Sequence, residues 1–388
     1  MPSIPGHPAL TEFGTTIFAT MTQLALEKDA VNLGQGFPDT DGPREVLDAA
    51  VEAIRSGRNQ YPPGPGVPEL RDAVAAHQER FYGLRVDPAR EVLVTVGATE
   101  AIAAVVLALV RPGDEVVTFE PYYDSYAATI ALAGGVRRTS LLRFPDFRVD
   151  EASLRAAFSE RTRLVLLNTP HNPTGKVFSR EELELVAALA REHDAWVVTD
   201  EVYEHLTFDG RPHVPMASLP GMAERTLAIS SGGKTFATTG WKVGWVTGAA
   251  EAVAAVRGVK QYLTFVGSGP FQPAIAVGLG LPDAVFTGLA TSMAGKRDRL
   301  VAGLRAAGFA VPVPEGGYFV LADAAPLGVV DAETFCLELP DRAGVVGVPA
   351  SAFHDDLEAS RSLVRFAFCK RDEVLDEACR RLEALRAG

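Results

Sequence analysis

The chain has 388 residues, 47% of them hydrophobic and 22% charged, the composition of an ordinary globular protein with room for two domains and a large core. Its 37 basic and 49 acidic side chains give a formal charge of −12, which argues against nucleic acid or an anionic membrane as the main partner, since both select basic patches. The longest apolar run, 101–110, is far short of the ~20 residues that span a membrane, and three cysteines without a C-x-x-C pair read as free thiols in a reducing cytoplasm, with no His or Cys at metal-ligand spacing.

From the N-terminus, there is no Lys or Arg before Lys28 and no apolar stretch of the signal-peptide kind. Residues 11–26 predict a helix, and 31–39 an irregular turn region rich in Gly and Pro. The middle of the chain alternates buried-type strands with amphipathic helices. Strands are expected over 91–96, 115–119, 163–167, 195–199, 226–229 and 243–247. Several are unbroken Val/Leu/Ile runs, as expected for parallel strands covered on both faces. A helix follows directly on Gly97, over 98–110. Ser179-Arg-Glu-Glu182 forms a capping box ahead of Leu183, Val186 and Leu189. Towards the C-terminus a long helix containing Leu300 and Leu304 ends near Gly308. Strand-like stretches follow at 316–320 and 363–368, and a last helix carries Val374, Ala378 and Leu382 at i, i+4, i+8. The fold class is α/β with a largely parallel sheet in a large domain, 45–285. A smaller α+β domain is built from 286–388 together with 1–44.

In an open parallel sheet, ligands bind beyond the carboxyl ends of the strands. The first polar residues after each strand are Gly97-Ala-Thr99, Glu120-Pro-Tyr-Tyr123, Asn168 through Asn172, Asp200-Glu-Val-Tyr203 and Ser230-Ser-Gly-Gly-Lys234. Together they supply an amine, a carboxylate, amides, phenols and a glycine turn opening a helix, the mixture a pyridoxal 5'-phosphate site requires. Lys234 is the amine for a Schiff base with the aldehyde. Asp200 is placed to keep a pyridine nitrogen protonated. Gly97, Ala98 and Thr99 offer helix N-terminal N–H groups to a phosphate, joined by the Ser231 hydroxyl and the Lys242 cation. Tyr123 suits a stacking face, and Asn172 and Tyr203 suit hydrogen bonds to a phenolic oxygen. In Val364-Arg-Phe-Ala-Phe368 the apolar residues share one face, so Arg365 points the other way, towards a cleft. There a guanidinium can hold an α-carboxylate through two parallel bonds.

The segments Asn168-Thr-Pro-His-Asn-Pro-Thr-Gly175, Thr199-Asp-Glu-Val-Tyr203, Ser230-Ser-Gly-Gly-Lys-Thr-Phe236, Gly240-Trp-Lys-Val-Gly244 and Val364-Arg-Phe resemble the class I/II aminotransferases of the fold-type I pyridoxal phosphate family. Asn32-Leu-Gly-Gln-Gly-Phe-Pro-Asp39 and Glu120-Pro-Tyr-Tyr-Asp-Ser-Tyr126 are similar to the kynurenine, glutamine and methionine branch and to actinobacterial N-succinyldiaminopimelate aminotransferases. The resemblance covers nearly the whole chain. It implies a seven-stranded-type, mostly parallel sheet between helices and a homodimer with shared active sites. It also implies a ping-pong cycle that passes the amino group of an L-amino acid to a 2-oxo acid, with 2-oxoglutarate as acceptor. By position it implies Lys234, Asp200 and Tyr203 as catalytic residues and Tyr61 as a phosphate contact from the partner subunit. Gly36, Asn172 and Arg365 would bind the substrate carboxylate, and Phe18 would line the side-chain pocket. At Phe18 one relative carries Trp, and Gly267-Ser-Gly-Pro270 departs from the bulkier residues of others. The donor is therefore left among N-succinyldiaminopimelate, methionine, glutamine, kynurenine and aromatic amino acids.

Each residue also has a plainer reading. Asp200 alone is a helix cap or salt-bridge partner, Arg365 a strand arginine paired with an acid, and Tyr123 a packed aromatic. Gly34-Gln-Gly36 and Gly64-Pro-Gly66 are tight turns, and His171 and His205 have structural roles without a defined partner. Two rival functions remain: a carbon–sulfur β-lyase with the same cofactor, and a P-loop protein. In the second, Gly233-Lys234-Thr235 imitates the motif's end, but Ala228 stands where its first glycine belongs.

Overall fold

The computed structural model describes residues 6–11 and 17–386. Among the described residues twelve strands occur in chain order: β1 (Val31–Asn32), β2 (Val92–Val96), β3 (Glu115–Glu120), β4 (Val136–Leu141), β5 (Thr162–Asn168), β6 (Trp196–Asp200), β7 (Thr226–Ser231), β8 (Val243–Gly248), β9 (Phe319–Asp323), β10 (Val345–Val346), β11 (Val348–Pro349) and β12 (Leu363–Ala367). Seven of them form one sheet in the order β2-β8-β7-β6-β5-β3-β4. Every neighbouring pair is parallel except the two made by β8, which runs antiparallel to both β2 and β7.

The unbroken apolar runs have the expected cause. Along β5, Leu164 and Leu166 pack with Ala101, Ile102 and Val105 of the helix Gly97–Leu109. The intervening Val165 and Leu167 pack with Leu183, Val186 and Leu189 of the helix Arg180–Glu192 on the other face. Both faces are therefore covered, and no polar position is left to mark the period of two. The Ser179–Glu182 capping box closes in both directions. The edge strand β4 escaped the sequence pattern, because Val136-Arg-Arg-Thr-Ser-Leu141 is half exposed and carries charges, as edge strands do.

A second core lies over the antiparallel sheet β11-β12-β9. It gathers Leu300 and Leu304 of the helix Asp283–Ala306, Phe335 and Leu339 of Ala332–Ala343, and Leu375, Ala378 and Leu382 of Asp372–Leu382. On this last helix the stripe runs through Leu375 rather than the predicted Val374, which is only partly buried. The N-terminal helix is Ile17–Glu27, with residues 12–16 of its predicted span outside the described residues. Its Met21 and Ala25 join the same core. Within the predicted turn region, β1 pairs in parallel with β10 and hangs the segment 33–37 beside the second sheet. Among the described residues no single helix is long and apolar enough to cross a membrane.

Within the large sheet, β8 passes close against the start of the helix Gly97–Leu109. A Cβ on Gly244 would lie 2.6 Å from the Gly97 carbonyl carbon and 2.9 Å from the Ala98 nitrogen. Gly244→Ala should therefore force strand and helix apart and destabilise the protein by about 1–3 kcal/mol. A urea midpoint equal to that of the wild type would contradict this packing account.

Candidate active site

The loops at the carboxyl rim of the large sheet converge on one cavity of about 400 Å³. Gly97, Ala98, Thr99, Tyr123, Asn172, Asp200, Tyr203, Ser231, Lys234 and Lys242 all line it, and so do Phe18, Gly36 and Arg365 from beside the second sheet. Lys242 reaches this rim although it precedes its strand, because β8 is antiparallel and starts where the others end. Tyr61 does not line the cavity. It is 82% exposed and stands edge-on to Phe265 at 5.6 Å.

Local structure explains how each group is held. After β5 the chain bends back, with the Asn172 N–H donating to Asn168 Oδ1 at 2.6 Å and Asn168 Nδ2 donating to the Asp200 carbonyl at 2.8 Å. Asp200 is buried at the end of β6, and Tyr126 Oη donates to its Oδ2 at 2.6 Å. Burial pushes its carboxyl up to about 6, although the Tyr126 bond opposes the shift. Gly97 has φ +74°, and the Lys242 side chain lies against it, with Cε and Nζ 3.0 and 3.2 Å from where a Cβ would stand. A helix N-terminus, an ammonium and the Ser231 hydroxyl thus share one corner of the cavity. Lys234 sits in a single helical turn, Gly232–Thr235, directly after β7. Burial lowers its amine to about 8, with Lys242 and Arg365 adding to the effect and Cys369 and Asp200 opposing it.

Arg365 is 2% exposed. Its guanidinium donates to Asn172 Oδ1 at 3.0 Å and to the Gly34 carbonyl at 2.9 Å, and its Nε has no partner. The rings of Phe319, Phe353 and Phe18 surround it at 4.1, 4.7 and 5.1 Å. No carboxylate of the described residues is in ion-pair contact with it, so the reading of a strand arginine paired with an acid is wrong here. The charged residues lining the cavity are then three cations, Lys234, Lys242 and Arg365, against the single carboxylate Asp200. Such a chamber favours anionic ligands.

Other residues were not legible from the motifs. Tyr318 Oη accepts from Lys234 Nζ at 2.9 Å and donates to the Gly36 carbonyl at 2.6 Å. Gln35, Phe37, Ile102 and Phe319 add to the walls. The two histidines for which the sequence defined no partner have structural ones, as expected. His171 bonds Thr174 Oγ1 at 2.8 Å and is driven down to about 3 by burial. His205 bonds His77 across the rings at 2.6 Å. The ligand atoms of His77, Glu204 and His205 come within 4.8 Å of one another, a cluster that sequence spacing hid because His77 is 128 residues from His205. Glu204 also accepts from Ser230 Oγ at 2.5 Å, which ties the cluster to β7.

Comparison with known proteins places this geometry. The sequence model of the family described as aminotransferase class I and II matches residues 28–382. The chain is 53% identical to a probable N-succinyldiaminopimelate aminotransferase of Mycobacterium tuberculosis, with 97% of each covered. It is 42% identical to the methionine aminotransferase of Escherichia coli, with 99% of each covered. It is 36% identical to the human kynurenine–oxoglutarate transaminase 1, covering 92% of this chain and 94% of that one. The solved N-succinyldiaminopimelate aminotransferase of Mycobacterium tuberculosis superposes with a TM-score of 0.96 over 98% of this chain and 100% of that one, at 53% identity.

The Asp200 shift has a signed consequence for the cofactor-free protein. The carboxyl is held protonated above its ordinary 3.8, up to about 6. The stability it contributes is present below the unfolded value and is lost as pH rises through about 6. Asp200→Asn removes that dependence. The unfolding free energy of the wild type should drop relative to the variant by on the order of 2–3 kcal/mol between pH 4 and 7. Parallel curves in chemical denaturation would show that Asp200 is not perturbed.

Proposed function

We propose a working arrangement for this chain, which belongs to the class I and II aminotransferases and is therefore a pyridoxal 5'-phosphate enzyme that transfers an amino group from an amino acid to a 2-oxo acid. The observation that carries the arrangement is the excess of cations over carboxylates lining one cavity, Lys234, Lys242 and the buried Arg365 against Asp200. The cofactor's phosphate and the substrate's α-carboxylate supply the missing negative charge.

The residues present fit the cofactor. The Gly97–Thr99 amides, the Ser231 hydroxyl and Lys242 would hold the phosphate. Tyr123 would stack on the ring, Asp200 would bond the ring N–H, and Asn172 and Tyr203 would bond the phenolic oxygen. When bound, the cofactor supplies an aldehyde for Lys234 and a protonated ring that withdraws electrons from the substrate's α-carbon. The protein's own steps are proton transfers and positioning. With its amine lowered to about 8, Lys234 has an appreciable neutral fraction near neutral pH. It would take the proton from the α-carbon and return it to the carbon on the other side of the transferred nitrogen, the former aldehyde carbon. Arg365, with its unpartnered Nε, receives the α-carboxylate alongside Asn172 and Gly36. The rings of Phe18, Phe37 and Phe319 limit water. The second half-reaction runs the same steps backwards on the 2-oxo acid, 2-oxoglutarate in this reading.

The lobe 45–285 carries the cofactor groups. Residues 1–44 and 286–388 form the lobe that brings Gly36 and Arg365 over the substrate. The donor is an L-amino acid, led by N-succinyldiaminopimelate on the 53% identity, with methionine and kynurenine next on their relatives and glutamine after them on the motif resemblance alone. Nothing in the comparisons favours a β-lyase or a P-loop protein. A cytoplasmic site of action agrees with three unbridged cysteines.

The active unit is a homodimer in which Tyr61 of one chain reaches the phosphate of the other. The support is an exposed apolar patch outside the cavity, with Tyr61 82%, Tyr262 86%, Phe265 54% and Leu263 45% exposed. Light scattering should give twice the chain mass, and Tyr61→Phe should weaken cofactor retention several-fold. A monomer with full cofactor content and activity would remove this part of the reading.

Arg365→Ala should raise KM for the amino donor by about 10²-fold, as expected for two charge-assisted hydrogen bonds, and leave cofactor content unchanged. The check is a screen of the candidate donors by loss of the cofactor's visible band, followed by steady-state kinetics on the best one. An unaltered KM would refute the clamp, and no bleaching with any of the named donors would refute the donor set.

A further inference from the structure

The segment 34–36 touches both ends of the reacting system. The Gly34 carbonyl accepts from the Arg365 guanidinium at 2.9 Å, and two residues on the Gly36 carbonyl accepts from Tyr318 Oη at 2.6 Å. The same Tyr318 oxygen accepts from Lys234 Nζ at 2.9 Å. The hydroxyl therefore has its one proton committed to Gly36 and faces the amine with a lone pair. Tyr318 is fully buried, with its ring edge-on to Tyr203 at 4.9 Å, so it has little freedom to turn away. The next residue, Phe319, fixes the other side of the segment. Its ring lies 4.1 Å from the Arg365 guanidinium and fills the space where a side chain at position 36 would stand.

We propose that Tyr318 is a positioning residue for the catalytic amine: its hydroxyl sets the direction of Lys234 Nζ and ties that direction, through the Gly36 carbonyl, to the segment that receives the substrate carboxylate. A neutral amine has one lone pair and two N–H bonds. Anchoring one N–H on the Tyr318 oxygen restricts rotation about Cε–Nζ and leaves the lone pair for the α-proton. The same contact stabilises the ammonium over the neutral amine, because an oxygen lone pair accepts better from a charged donor. Carboxylate binding at Arg365 and Gly36 thereby steadies the base on the far side of the cavity. This rests on the aminotransferase reading of Lys234. Nothing else in the cavity is seen to link the amine to segment 34–36 by hydrogen bonds among the described residues.

The test is Tyr318→Phe in the holoenzyme, with wild type in the same assay. Cofactor content and KM should stay within about threefold, and kcat should fall by about 10- to 100-fold. The isotope effect from deuterium at the substrate's α-carbon should grow, and the acidic limb of the kcat profile should move to lower pH. An unchanged isotope effect and pH limb, or a rise in KM with kcat intact, would overturn the proposal. Should Tyr318→Phe fail to fold, 3-fluorotyrosine placed at 318 keeps the hydroxyl but weakens it as an acceptor. It should give smaller changes in the same directions, and wild-type kinetics there would overturn the proposal equally. If the wild type transaminates nothing, the aminotransferase reading fails by itself. The positioning claim is then decided by the pH dependence of Lys234 acylation in cofactor-free protein, where Tyr318→Phe must lower the midpoint and an identical midpoint refutes it.

Discussion

A guanidinium enclosed by three aromatic rings, with no acid to neutralise it, is the constraint on which the rest of this structure depends. Arg365 stands on β12 between Val364 and Phe366, which belong to the core of the second sheet, so strand alternation leaves it no other direction. Holding a charge in such a place is unfavourable unless an anion joins it. The same holds for the amine of Lys234, which burial drives towards its neutral form. Two separate sheets thus turn like charges towards one cavity. Fold and charge meet in that imbalance: the carboxyl rim of the large sheet brings Asp200 and Lys234 to the cavity, and β12 with segment 34–36 brings Arg365 and Gly36.

Much of this was legible in the sequence because the informative residues lie at strand ends. Asp200, Asn172, Ser231 and Lys234 follow apolar runs that only a covered parallel strand explains. Arg365 could be oriented by counting residues in twos. What escaped notice depended on partners distant in sequence. Tyr318 is an unremarkable aromatic after two glycines until the fold puts its hydroxyl 2.9 Å from Lys234. His77 and His205 are likewise silent until a helix and a loop 128 residues apart bring their rings together. The strand β4 was missed for another reason: an edge strand is half solvated, so its Arg137, Arg138 and Thr139 break the apolar signal. The reversed direction of β8 could not be read from composition at all, yet it explains why Lys242 lines the cavity from the start of its strand.

The relatives share the machinery and differ in donor, which agrees with how the cavity is built. The groups proposed to hold the cofactor and the α-carboxylate come from strand ends and from the second sheet. The walls that would face a substrate side chain are Phe18, Gln35, Phe37 and Ile102, drawn from the N-terminal segment and one helix face. A chain can change these walls without disturbing Asp200, Lys234 or Arg365. Family membership therefore fixes the reaction, while the donor remains a question of wall chemistry.

The central claim is that one amine, on Lys234, bonds the cofactor at the mouth of the large sheet. The most direct measurement is to reduce the holoprotein with borohydride, digest it and locate the pyridoxyl group by mass spectrometry. The account predicts a single modified peptide carrying the tag on Lys234. A tag on Lys242 or any other lysine, or none, would contradict it.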